Sequence, residues 1–206
     1  QVAGTIELIA TYDGMGLLIQ GLTGSTPTDA GAGPYTHTTA LTTTLPSYTI
    51  RFVRGNGTMD VLVGCKILKM AFKVVAGDYL RITIEVMGKS GGRTAASTPT
   101  YAASSDYTVE AAHIGAITWA TVAYLVKSLT VTVENKLATR PLLGSLYSAE
   151  FAPSEPQAVS CALTAEYFDD TLSTKHLDDT VSDLTFTFTS GTKSVAFTLH
   201  NCYVGT

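Results

Sequence analysis

Residues 66 to 89, KILKMAFKVVAGDYLRITIEVMGK, alternate apolar and polar side chains on both sides of a Gly77-Asp78 turn. Successive side chains of a strand point to opposite faces, so this pattern specifies a two-faced antiparallel hairpin. Met70, Phe72, Val74, Leu80, Ile82, Ile84 and Val86 fall on one face. Lys69, Lys73, Arg81, Thr83 and Glu85 fall on the other. The same alternation recurs in LVKSLTVTVEN, with Leu129, Val131 and Val133 facing in and Ser128, Thr130, Thr132 and Glu134 facing out. A third strand, AVSCALTAEYF, is expected to pair with it and to present Ala162, Thr164 and Glu166 outward.

A larger pattern occurs twice. GTIELIATYDG opens the chain with an alternating strand that ends in an aromatic residue and an acid, Tyr12 and Asp13, and AVSCALTAEYFDD repeats this with Phe168 and Asp169. About ten helix-compatible residues follow each copy. In the first, Met15, Leu18, Ile19 and Leu22 form one apolar stripe, Asp13 is placed to cap the helix, and Gly21 and Gly24 mark its end. Thr-rich strands come next, expected near 35–42, 47–54 and 59–67, with an RGNG hairpin turn between the last two. The second copy places a helix near 170–179 and closes with the strands DLTFTFTS and SVAFTLHNCYVG. The chain thus reads as an internally duplicated, mainly β protein. Residues 1–87 form one half and 117–206 the other, packed as one domain. Residues 88–116, rich in small and polar side chains, form a long connection or arm.

Composition agrees with strands and narrows function. Thirty-three threonines, together with Val, Ile, Tyr and Phe, favour β structure, and 45% hydrophobic content supplies a core. A net charge of -4 with only 15% charged residues leaves no basic footprint for gripping phosphates. No run of about 18 apolar residues and no signal-peptide pattern is visible, so no membrane partner is expected. The start at Gln1, without Met, points to a trimmed or partly ordered product.

No constellation of catalytic residues emerges. GKS at 88–90 lacks the first glycine of a phosphate loop, because Thr83 stands there, and it ends a strand instead of opening a helix. There is no GxSxG, and His37, His113, His176 and His200 are scattered without ligand spacing. Asp169, Asp170, Asp178 and Asp179 match no calcium loop, the first pair serving as helix caps. Cys65, Cys161 and Cys202 lack disulfide or zinc spacing and read as reduced, buried thiols. Asn56-Gly57-Thr58 is a formal glycosylation sequon and also a turn signal. Trp119 and the ten tyrosines are spread along the chain, which favours packing over a stacking platform for sugars or bases. Neither an enzymatic role nor a cofactor or metal is expected.

From YTHTTALTTTLPSYTIRFVRGNG through the long hairpin, and again from VKSLTVTVENKL and LLGSLY to the final Thr-rich hairpin, the order of strands and turns resembles the tail tube proteins of long-tailed, noncontractile bacteriophages of the siphovirus type. The resemblance runs from about Thr5 to Thr206. It implies an antiparallel β-sandwich or partial barrel with one or two short flanking helices. It also implies a structural virion protein of the tail, assembled in the host cytoplasm, with rings, usually hexameric, stacked into a hollow tube. The implied partners are other copies of the chain, a tape-measure protein, tail terminator and tip proteins, and double-stranded DNA passing through to the host. Duplication also leaves room for a trimer of duplicated subunits. On this basis the expected lumen-facing set is Lys69, Lys73, Arg81, Thr83, Glu85, Ser128, Thr130, Thr132, Glu134, Thr164 and Glu166. It balances three basic against three acidic side chains. The alternative reading is a secreted β-sandwich adhesin or carbohydrate-binding module.

Overall fold

The computed structural model describes residues 2–26, 28–29, 37–54, 56–97, 107–141, 143–144, 151–166, 174, 177–178 and 181–203. The alternating segments form strands that pair antiparallel into a sandwich of two sheets. The larger sheet takes β1 (Val2–Ile9), β4 (Tyr48–Val53), β5 (Thr58–Val75), β6 (Arg81–Gly88), β7 (Ser90–Ala95), β10 (Val126–Glu134) and β13 (Ala158–Ala165). Five of these run side by side in the order β1-β6-β5-β10-β13, while β4 and β7 both pair with β5. The second sheet has the order β15-β14-β8-β9, from β8 (Ile117–Trp119), β9 (Val122–Tyr124), β14 (Ser182–Ser190) and β15 (Lys193–Cys202). Short pairs β2 (Thr28–Asp29) with β3 (His37–Thr38), and β11 (Leu137–Thr139) with β12 (Phe151–Pro153), complete the strands.

The core lies where the apolar faces meet. Every residue assigned to the inner face of the long hairpin, from Met70 through Val86, is buried, and so are Leu129, Val131 and Val133. From the second sheet Phe186 stacks on Phe197 at 4.9 Å between ring centroids, and Phe197 meets Phe72 of β5 edge-on at 5.1 Å. Aromatic pairs in these geometries add to the burial that holds the two layers together. The helix α1 (Met15–Thr23) packs on the same core through Met15 and Leu22.

β5 is one strand of 18 residues, although alternation reads as two segments split near residue 67. Its far half, 58–63, pairs with β4 on one side and β7 on the other. Its near half, 66–75, pairs with β6 and β10. Between the halves Gly64 takes φ 67°, opposite Lys89, where β6 gives way to β7. A side chain at 64 would be strained by that φ and would press on the Lys89 stem, whose Cγ and Cδ lie 3.2 and 3.1 Å from a built Cβ. The stretch read as a connecting arm therefore begins with a strand, β7, laid back along β5. Residues 98–106 of that stretch lie outside those described.

Two local expectations are corrected. The N-cap of α1 is Gly14, without a side-chain cap, because both Asp13 carboxylate oxygens accept from Lys193 Nζ at 2.6 and 2.7 Å. Gly21 lies inside the helix instead of ending it. A Cβ there would come within 2.7 Å of Tyr48 Cε2, so its smallness serves close packing on β4, and Gly24 (φ 77°) is the C-cap. The helix expected near 170–179 falls mostly outside the described residues. The two halves also contribute unequally: the hairpin β14–β15 joins the second sheet, whereas β5–β6 lies in the first.

Candidate functional site

Strand pairing places most of the candidate set on one surface. Opposite residues of neighbouring strands share a face, so the outer side of the five-strand sheet can be read as rows. One row runs Ile9, Arg81, Lys73, Thr130, Ala162. The next runs Glu7, Thr83, Ala71, Thr132, Ser160, and the third Thr5, Glu85, Lys69, Glu134, Ala158. Val75, Ser128 and Thr164 extend the face at one end. The polar sides of the long hairpin and of β10–β13 thus merge into a continuous surface. Glu166 follows the end of β13 and reaches Lys127 at 3.8 Å, so it stands at the rim.

Thr5 and Glu7 of β1, with Ala71 and Ser160, belong to the face although they were not in the expected set. The alternation of β1 carries the signal for the first two, since they are out of phase with Ile6 and Leu8. What alternation cannot supply is the pairing of β1 with β6. At the opposite end a small apolar cluster of Leu45, Leu137 and Phe151 packs on Leu68 and Met87, and Lys66 Nζ donates to the Phe151 carbonyl at 3.1 Å.

The charges on this face are largely matched. Lys69 lies 3.8 Å from Glu85 on the adjacent strand, and Glu134 lies 3.0 Å from Lys136. Arg81 donates from Nε and Nη2 to the Asp78 carboxylate at 3.2 and 3.3 Å. The Arg81 hydrogen bonds, with that from the Tyr79 amide, hold the Asp78 carboxyl below the usual carboxylate range, and Asp78 in turn raises Arg81. Such exposed pairs add little to stability, because solvent screens them. Their consequence is a near-neutral, Thr-rich surface with few unmatched cations to retain phosphate.

Nothing in the described residues assembles reactive chemistry. No three metal-ligating side chains come together among them. His113 Nδ1 accepts from the Glu110 amide at 3.2 Å and lies 3.3 Å from the Tyr12 hydroxyl, while His200 pairs with Asp183 at 2.9 Å. Residues 169, 170, 176 and 179 lie outside the described residues. All three cysteines are free thiols, and burial raises each, Cys161 to about 11. Asn56 Oδ1 accepts from the amide and hydroxyl of Thr58 within the β4–β5 turn. Trp119 is buried in the core. A cleft of about 480 Å³ opens between β1 and the far half of β5 with its neighbours β4 and β7, lined by Val2, Thr5, Phe52, Leu62, Asp60 and Arg93. Its two charged groups are paired with each other, Arg93 Nε to Asp60 Oδ1 at 2.9 Å.

The described strands form an antiparallel β-sandwich with one broad, largely polar sheet face. The chain belongs to the phage tail tube protein family, whose family model matches residues 1–206. It is accordingly a component of the virion tail with a structural role in the tail tube. A search of curated proteins finds no match.

Proposed function

We propose that this chain is the major tube subunit of a long-tailed, noncontractile phage, and that the outer face of its five-strand sheet lines the tube lumen. Copies of the chain close into rings, six to a ring, and the rings stack. Tape-measure protein and then double-stranded DNA occupy the channel, and terminator and tip proteins close its ends. The observation that carries this reading is the merging of polar rows from β1, β6, β5, β10 and β13 into one surface. A largely polar sheet face can border water while its reverse side builds the core. A matched, near-neutral wall suits passage of a polyanion, because strong cation clusters would retain phosphates and one-sided negative charge would oppose entry.

The test is the position of a label in assembled tubes. With Thr130→Cys carrying a maleimide gold cluster, cryo-electron microscopy is expected to show density on the inner wall. With Thr198→Cys on the outer side of β15, where Thr198 is exposed, density is expected on the outside. Exchange of the two positions would overturn the assignment of the face.

A further inference from the structure

The core-facing row of β13 is Val159, Cys161 and Leu163, opposite Val133, Val131 and Leu129 of β10. The β10 residues are buried, whereas Val159 and Leu163 are 42% and 39% exposed. Cys161, between them, is part-buried and packs on the core. The middle of this row is therefore covered and its ends are not.

The end of β15, in the second sheet, carries a matching feature. Val195, Phe197 and Leu199 alternate toward the core, so regular alternation would turn Asn201 inward and Cys202 outward. The opposite is found. Between the pairs Leu184–Leu199 and Ser182–Cys202, β15 advances three residues while β14 advances two, and Asn201 sits in this bulge at φ 55°. A bulge of this kind re-aims the side chain beyond it. Asp183 holds it in place: one carboxylate oxygen accepts from the Asn201 amide at 3.2 Å, and the other lies 2.9 Å from His200 Nδ1. Asn201 is left exposed, and Cys202 packs on the same core cluster as Cys161. The two thiols also lie near enough to interact, since after burial, the larger cause, it is Cys202 that raises Cys161.

We propose that Cys161 and Cys202 are a redox pair, and that a disulfide between them ties the β13 edge of the larger sheet to the second sheet. Immunoglobulin-type sandwiches carry an inter-sheet disulfide in the same role. The oxidant is a small-molecule disulfide such as oxidised glutathione. The Cys202 thiolate attacks one of its sulfurs and expels one glutathione thiolate; the Cys161 thiolate then attacks Cys202 Sγ of the mixed disulfide and expels the second. Two electrons and two protons pass from the protein to the two glutathione molecules. Cys202 attacks first, because burial pushes the Cys161 thiol up to about 11, whereas the Leu184 amide partly offsets the burial of Cys202. Cys65 takes no part, being buried in β5 opposite Tyr48.

Oxidation of the folded full chain by oxidised glutathione tests the pair. Remaining thiols are alkylated in denaturant and the peptides are mapped without reduction. The expected product is a monomer that has lost two hydrogens, with Cys161 linked to Cys202, Cys65 alkylated, and a urea midpoint above that of the reduced chain. Cys161→Ser is expected to stop at the glutathione adduct on Cys202, and neither it nor Cys202→Ser gains stability on oxidation. Alkylation of both cysteines after oxidation, glutathione retained on the wild-type chain, a link to Cys65 or a link between copies would each overturn the pair. A link that forms only in urea, or one that leaves the midpoint unmoved, would overturn the tie between folded sheets. None of these readouts needs an assembled tube, so they stand or fall apart from the tube reading.

Discussion

Asn135 shows what a single residue does in this fold. It is fully buried, its Nδ2 donates to the carbonyls of Leu22 and Ile67 at 3.1 and 2.9 Å, and its Oδ1 accepts from Gln157 at 2.7 Å. Its amide adds a bond to the Leu68 carbonyl at 2.8 Å. One side chain thereby ties the end of α1 to β5 and to the end of β10. An apolar replacement would strand these buried groups, and each unsatisfied one costs about 1–3 kcal/mol. Asn135→Leu is therefore expected to lower unfolding free energy by about 2–3 kcal/mol in urea titrations, and an unchanged midpoint would refute the role. In the sequence Asn135 reads only as a polar residue ending an alternating strand, because its partners are 68 and 113 positions away. Asp13 was misread for the same reason: a local cap and a cation 180 residues distant compete for one carboxylate, and the cation wins.

At the scale of elements, the far half of β5 is held by Asp60. Arg54 Nε donates to its Oδ2 at 2.6 Å from beyond β4, and Arg93 Nε donates to Oδ1 at 2.9 Å from β7. These hydrogen bonds, Arg54 first and then Arg93, hold the Asp60 carboxyl below the usual carboxylate range. A depressed folded value means stabilisation that is present above the ordinary carboxylate value and lost as pH falls through the folded one. Arg93→Ala is expected to raise the Asp60 value toward the ordinary range, read by carboxyl-carbon NMR titration, and to make β4–β5–β7 amides exchange faster. An unmoved titration would remove Asp60 as the clamp. The β14–β15 hairpin was legible from alternation and its Ser-Gly turn. The β8–β9 hairpin was not, since its turn uses Ala120 and Thr121 at φ 50° and 66°, without the Gly or Asn that normally signals such a turn. The continuity of β5 was hidden likewise, by a left-handed Gly64 and a register shift between Ile67 and Lys69.

At the scale of the whole molecule, stability depends on two sheets meeting through a few large side chains. Phe72 is buried at that contact, against Phe197 of the second sheet. Phe72→Ala is expected to cost about 3–5 kcal/mol of unfolding free energy, because the cavity left between two rigid layers closes only in part. A loss below about 1 kcal/mol in calorimetry would mean that the layers collapse over the gap. Which face each residue of β6, of β10 and of β5 from Lys69 onward takes was legible in the sequence alone, since alternation follows from the covalent geometry of an extended chain, whereas the register shift between Ile67 and Lys69 breaks it within β5. Which strands lie side by side was decided only by the tertiary structure. β5 pairs with β10 across some sixty intervening residues, and the second half's hairpin leaves for the other sheet. That choice comes from burying all the apolar faces at once, a condition on the whole chain that no local pattern contains. It is also what turned several separate polar strand faces into one surface.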